Sequence, residues 1–181
     1  MTTTTSSSSP WSVSTRTLVL AAIFGALVIA LQLVGIGTIP VLNLSGGMTT
    51  LFIPVILGAV IGGPIVGIFA GLVMGVIYLI LFPTFGPLIH IPGRLLFPIV
   101  AWLVYSALRG QNKVIAAAAA GIAGAITNTV ITVGLAILQK LAPPEFFLTV
   151  LPQAAVEAIA AAIIIPIIVV AVDSAMAARR G

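Results

Sequence analysis

Six apolar stretches alternate along the chain with short breaks rich in proline, glycine or polar residues, and this alternation predicts six helices. The first stretch runs from about Thr17 to Gly35, and a loop through Gly37, Pro40, Asn43 and Gly46-Gly47 follows. The second, about Met48 to Ile61, is short and interrupted by Pro54, which leaves open a re-entrant segment in place of a full crossing. Gly62-Gly63-Pro64 turns the chain into a third stretch, about Ile65 to Phe82. The next break, Pro83 to Gly93, reads as a loop and holds three prolines and the sole histidine, His90. A fourth stretch spans about Arg94 to Leu108, and a fifth about Val114 to Leu138, with Arg109-Gly-Gln-Asn-Lys113 as the polar turn between them. After a break from Lys140 to Thr149 comes the sixth, Leu151 to Val172, about the length of roughly 20 residues that a bilayer-crossing helix requires.

Composition turns six apolar helices into membrane helices. The chain is 61% hydrophobic and only 6% charged, and its mean hydropathy is +1.34. A soluble domain carries about 25% charged residues. The apolar runs are also longer than the alternating segments of an outer-membrane barrel. The expected fold is therefore an all-α membrane bundle of six helices spanning residues 16–175. Before it lies a polar, low-complexity tail, 1–15, read as disordered, and after it a short basic tail, 176–181. Arg16 followed by Leu18 to Val34 has the outline of a signal peptide, but the run is too long and no small-residue cleavage site follows, so an uncleaved first span is expected.

Charge sets the orientation. With the amino terminus inside, Arg16, Arg109, Lys113, Arg179 and Arg180 face the cytoplasm, and Arg94 and Lys140 face out. Five against two is the sign that the positive-inside rule requires, so both termini are expected to be cytoplasmic. The net charge of +4 comes without a basic cluster larger than Arg179-Arg180, so nothing points to nucleic acid. Without cysteine there is no disulfide or thiolate metal site.

Candidate chemistry is sparse. No P-loop sequence for ATP occurs, and neither an H-E-x-x-H pair nor a nucleophile elbow is present, so no enzyme, metal site or cofactor is expected. What stands out is polar residues in apolar surroundings: Arg94 in Ile91-Pro-Gly-Arg-Leu, Asn128 in the fifth span and Glu157 in the sixth. An ionisable group inside the hydrocarbon slab is costly and faces a bundle interior or a wet cavity. The topology puts all three in the outer half, with His90, Asn43 and Gln153 on the adjoining loops or span ends. Two readings follow: a solute site open to the exterior, or an Arg94–Glu157 ion pair that ties helices together. Small-residue stripes mark two further faces. Ala22, Ala26 and Ala30 recur along the first span, and Gly63, Gly67, Gly71 and Gly75 along the third. Such stripes allow close helix approach, with packing inside the bundle as the default reading.

These segments together resemble a known family, the substrate-binding S components of energy-coupling factor (ECF) transporters. The likeness rests on Leu20 to Ala30, Phe52 to Pro64, Leu88 to Arg94, Thr127 to Gly134, and Pro152 to Pro166 with Glu157. It is nearest the pantothenate, hydroxymethylpyrimidine and riboflavin branches and lacks residues expected of the biotin and thiamine types. The resemblance implies high-affinity capture of a vitamin or vitamin precursor at the plasma membrane, with a membrane coupling subunit and two ATPase subunits as partners. It implies that Ala22, Ala26 and Ala30 meet the coupling subunit, and that the loop from Thr38 to Gly47 serves as a lid. A stand-alone transporter with Glu157 as its proton-coupling carboxylate, and a membrane protein whose polar residues are only structural, are the competing readings.

Overall fold

The structure, a computed structural model, describes residues 9–40 and 47–179. Six α-helices and one two-stranded sheet make up the described chain. Helix α1 (Thr15–Leu33) starts where the Ser14 hydroxyl accepts the Thr17 N–H at 3.1 Å. It leads through Gly35, at φ 85°, into strands β1 (Thr38–Pro40) and β2 (Gly47–Thr49), which pair antiparallel with Thr38 opposite Thr49. Helix α2 (Phe52–Gly62) follows. Gly63, at φ 95°, then turns the chain into α3 (Pro64–Leu81). A 3₁₀ turn (Pro83–Phe85) precedes α4 (Pro87–Leu108). Helix α5 (Lys113–Leu138) is capped by the Asn112 side chain, which accepts from the N–H groups of Val114 and Ile115. Helix α6 (Phe146–Ala178) ends the described chain.

Five of these helices are long and apolar enough to cross a membrane. Their outward faces suit lipid: Ile80, Ile115, Ile159 and Ile167 are each more than half exposed. The sixth, α2, has 11 residues, or about 16 Å of helix, so it reaches only part of the way through a slab of roughly 30 Å. It is nonetheless almost wholly enclosed, with Phe52, Val55, Ile56 and Leu57 in the core. Pro54 sits in its first turn, where a missing N–H leaves no helical bond unmade, so it does not interrupt the helix.

Three boundaries differ from those expected. Met48 lies in β2, so the second span starts later than its hydrophobicity suggests. The proline-rich break before Arg94 is helical from Pro87, which places His90 inside α4 and Arg94 about two turns from its start. Pro87 takes the first helical position after Gly86, at φ 68°, and Pro92 and Pro98 are accommodated within the helix, as packed membrane helices allow. Helix α6 likewise begins at Phe146 and runs through Pro152 and Pro166 to Ala178, taking in part of the expected carboxyl-terminal tail.

The glycine stripe is internal packing. A Cβ on Gly71 would lie 2.0 Å from the Arg94 carbonyl oxygen, and one on Gly67 would lie 2.5 Å from the Ala59 Cβ. Pro98 has no N–H to offer the Arg94 carbonyl four residues back, and Gly71 lets α3 close against that bare oxygen. On α1 the alanines face the other way: Ala22, Ala26 and Ala30 are exposed, while Ala21, Phe24, Gly25 and Val28 are buried.

Candidate functional site

One end of the bundle gathers the α1–α2, α3–α4 and α5–α6 connections, and a cavity of about 90 Å³ lies just beneath them. Its wall includes Gly47 and Thr49 of β2, Tyr78 and Phe82, His90 and Arg94 of α4, Asn128 and Thr132 of α5, and Gln153 and Glu157 of α6. Three helices contribute polar pairs spaced by four residues: His90 with Arg94, Asn128 with Thr132, and Gln153 with Glu157. That spacing puts both members of a pair on one helical face, so each helix turns a single polar patch inward. Apart from Thr129, the rest of the wall is apolar or aromatic, with Phe85, Ile89, Phe146 and Val150 among it.

Four of the expected site residues are buried deeply: His90, Arg94 and Glu157 are 3% exposed and Asn128 is 5% exposed. Gln153 lies in the same wall, half-buried. Asn43 falls outside the described residues.

The Arg94–Glu157 ion pair of the alternative, structural reading is not formed. Arg94 Nη1 donates instead to Thr132 Oγ1 at 2.6 Å, and its guanidinium carbon stands 4.9 Å from the centre of the Tyr78 ring, a cation–π contact. Glu157 Oε1 accepts from the Thr49 backbone N–H at 3.0 Å and from Gln153 Nε2 at 3.0 Å. Gln153 Nε2 also donates to the Gly47 carbonyl at 3.1 Å. Both side chains thus have local hydrogen-bonding partners, which a polar group cut off from water requires. The sole ion pair among the described residues is Lys113–Asp173 at 2.6 Å, on the exposed surface at the far end of the bundle.

His90 Nε2 lies 2.9 Å from the Phe82 carbonyl oxygen. A carbonyl only accepts, so Nε2 carries the hydrogen and Nδ1 of the neutral ring is an acceptor. That Nδ1 has no partner among the described residues, and neither do Arg94 Nε and Asn128 Oδ1. Buried polar atoms are nearly always satisfied, so three without a partner among the described residues leave unused hydrogen-bonding capacity around one cavity. They ask for an acceptor at Arg94 and for donors at Asn128 and His90. Among the described residues no three His, Cys, Asp or Glu side chains come together in a group that could hold a metal ion.

Strand β2 roofs the cavity, with β1 paired to it. The Thr38 hydroxyl of β1 donates to Gln32 Oε1 at 3.0 Å and meets the Tyr78 hydroxyl at 3.2 Å, while β2 rests on α6 through Gln153 and Glu157. Sequence reasoning missed Tyr78, Thr132 and Thr49. Thr132 was within reach, since it lies one turn from Asn128 on the same face. Tyr78, a phenol near the end of an apolar helix, passes for an interfacial anchor. Thr49 acts through its backbone, for which side-chain patterns hold no signal.

The family model for the ECF transporter, substrate-specific component, matches residues 16–169. A search of curated proteins finds no match.

Proposed function

The chain belongs to the ECF transporter substrate-specific components, and on that premise we propose that it captures a water-soluble vitamin or vitamin precursor from outside the cell in the roofed cavity. It is a multi-pass protein of the plasma membrane. The observation that carries the reading is the set of unpartnered atoms on His90, Arg94 and Asn128, three buried side chains on two helices around one cavity. The solute would offer an oxygen acceptor to Arg94 and hydroxyl or amine donors to Asn128 and His90, with Tyr78, Phe82 and Phe146 packing its apolar parts.

Two features support the orientation and the partners. The five-to-two charge asymmetry assigns the cavity end to the exterior and both termini to the cytoplasm. The chain lacks a P-loop, so the work of import falls to two separate ATPase subunits reached through a membrane coupling subunit. The exposed face of Ala22, Ala26 and Ala30 is the docking surface proposed for that coupling subunit, because small side chains allow a second helix to approach closely.

Mass spectrometry of small molecules released from the purified wild-type protein tests the capture reading. A stoichiometric solute bearing both donors and an oxygen acceptor is expected. Uptake of that solute by cells should stop on ATP depletion and continue under a protonophore while ATP is maintained. The opposite pattern would identify a proton-coupled transporter.

A further inference from the structure

Glu157 is the carboxylate that a solute site would be expected to use first, yet it bonds to the roof and to Gln153, which bonds to the roof in turn. On a strand, the Thr49 N–H and the Gly47 C=O point to the same edge, because residues two apart repeat their orientation. That edge of β2 faces α6, where Glu157 Oε1 accepts the Thr49 N–H and Gln153 Nε2 donates to the Gly47 carbonyl. The two side chains are also joined, at 3.0 Å. Together they supply one acceptor and one donor, as a neighbouring strand would to an open sheet edge. The contact links residues 108 positions apart in the chain, and Thr49 and Glu157 are both buried.

We propose that Glu157 and Gln153 are positioning residues that fix strand β2 as the roof of the cavity, so that Glu157 serves capture by holding the roof and not by offering its charge to the solute. The proposal rests on the reading of the cavity as a solute site. Two further contacts fit it. The Thr49 hydroxyl donates to the Gly37 carbonyl at 3.2 Å and accepts the Leu51 N–H at 3.1 Å, so the residue gripped by Glu157 also sets the entry into α2. Arg94 is held elsewhere, on Thr132 and Tyr78, so Glu157 is not needed to anchor that charge.

The role needs an oxygen acceptor at position 157 and not a charge, and this makes it separable from a charge offered to the solute or from proton coupling. Glutamine keeps a side-chain carbonyl oxygen, whereas leucine has no acceptor. Amide hydrogen exchange on the full-length, solute-free protein in detergent reads the roof directly. Glu157→Leu should speed exchange in the segment Gly47 to Leu51 by about tenfold or more, the factor that loss of roughly 1.4 kcal/mol of protection produces. Glu157→Gln should stay within about threefold of wild type, and the amides of α3 and α4 should be unchanged in both. Gln153→Met, which removes the donor to Gly47, should also speed exchange and carries the contrast with Glu157→Gln if Glu157→Leu does not fold. A Glu157→Gln roof that exchanges as fast as the Glu157→Leu or Gln153→Met roof would overturn the proposal. So would unchanged roof protection in Glu157→Leu, or a Glu157→Gln protein that keeps its roof but loses the solute found on the wild type. If the wild type retains no solute, the capture reading fails, while the exchange contrast still decides the role of the pair.

Discussion

Replacing Gly71 with alanine should damage the protein more than its single added methyl group suggests. Its Cβ would stand 2.0 Å from the Arg94 carbonyl oxygen and 3.1 Å from the carbonyl carbon. A carbon–oxygen contact relaxes at about 3.3 Å, so α3 and α4 would have to part locally by roughly 1.3 Å. Neither neighbour is the movable end of a side chain: the clash is with helix backbone, in a helix already carrying Pro92 and Pro98. Overpacking of this kind costs about 1–3 kcal/mol. Arg94 belongs to the cavity wall, so the same displacement also moves a proposed solute contact. Thermal unfolding in detergent, with solute retention measured alongside, reads both effects. Gly134→Ala is the matched control, since nothing lies within 4 Å of its added Cβ and alanine is the better helix former by up to about 1 kcal/mol. Gly71→Ala should unfold several degrees below wild type and hold less solute, with Gly134→Ala at or above wild type. Equal stability of the two variants would mean that α3 and α4 are not packed through Gly71, and the reasoning would fail.

Other substitutions separate the remaining roles. Ala26→Trp should block assembly with the coupling subunit while solute retention by the isolated protein survives, as copurification and mass spectrometry would report; normal assembly would remove α1 as the docking face. Thr132→Val takes from Arg94 a hydrogen bond to a charged group, so a loss of roughly 1.5–3 kcal/mol in unfolding free energy is expected, and an unchanged midpoint would contradict the contact. The chain has no cysteine, so single cysteines report topology cleanly: position 111 should be protected from impermeant reagent in intact cells and position 145 labelled.

Helices were legible where apolar runs were long, and their ends were not. The break before Arg94 reads as a loop because three prolines punctuate it, yet Pro87 starts α4 and Pro92 lies within it, so His90 belongs to a helix. Prolines that end a helix in water are tolerated in a membrane bundle, where neighbouring elements satisfy the freed carbonyls. Strands β1 and β2 are three residues each, too short for alternation to register, and two of their anchoring contacts come from the distant Tyr78 and Glu157. The candidate site was partly visible for the opposite reason: Arg94, Asn128 and Glu157 are conspicuous in hydrocarbon-like surroundings, and the structure brings all three to one cavity. Their partners were not visible. An Arg94–Glu157 pair follows from opposite charges at one depth, but Thr132 and the backbone of Thr49 lie closer and take those roles.

The central claim is that the roofed cavity is where the solute binds, and Asn128 tests it most directly. Its Oδ1 is buried and has no partner among the described residues, so removing it breaks no hydrogen bond made among them. Asn128→Leu is near in size and removes the acceptor. Isothermal calorimetry with the solute recovered from the wild-type protein should show affinity weaker by about tenfold or more, the equivalent of roughly 1.4 kcal/mol or greater, in a variant that remains folded and monodisperse. Wild-type affinity in folded Asn128→Leu protein would contradict the account and place the solute elsewhere.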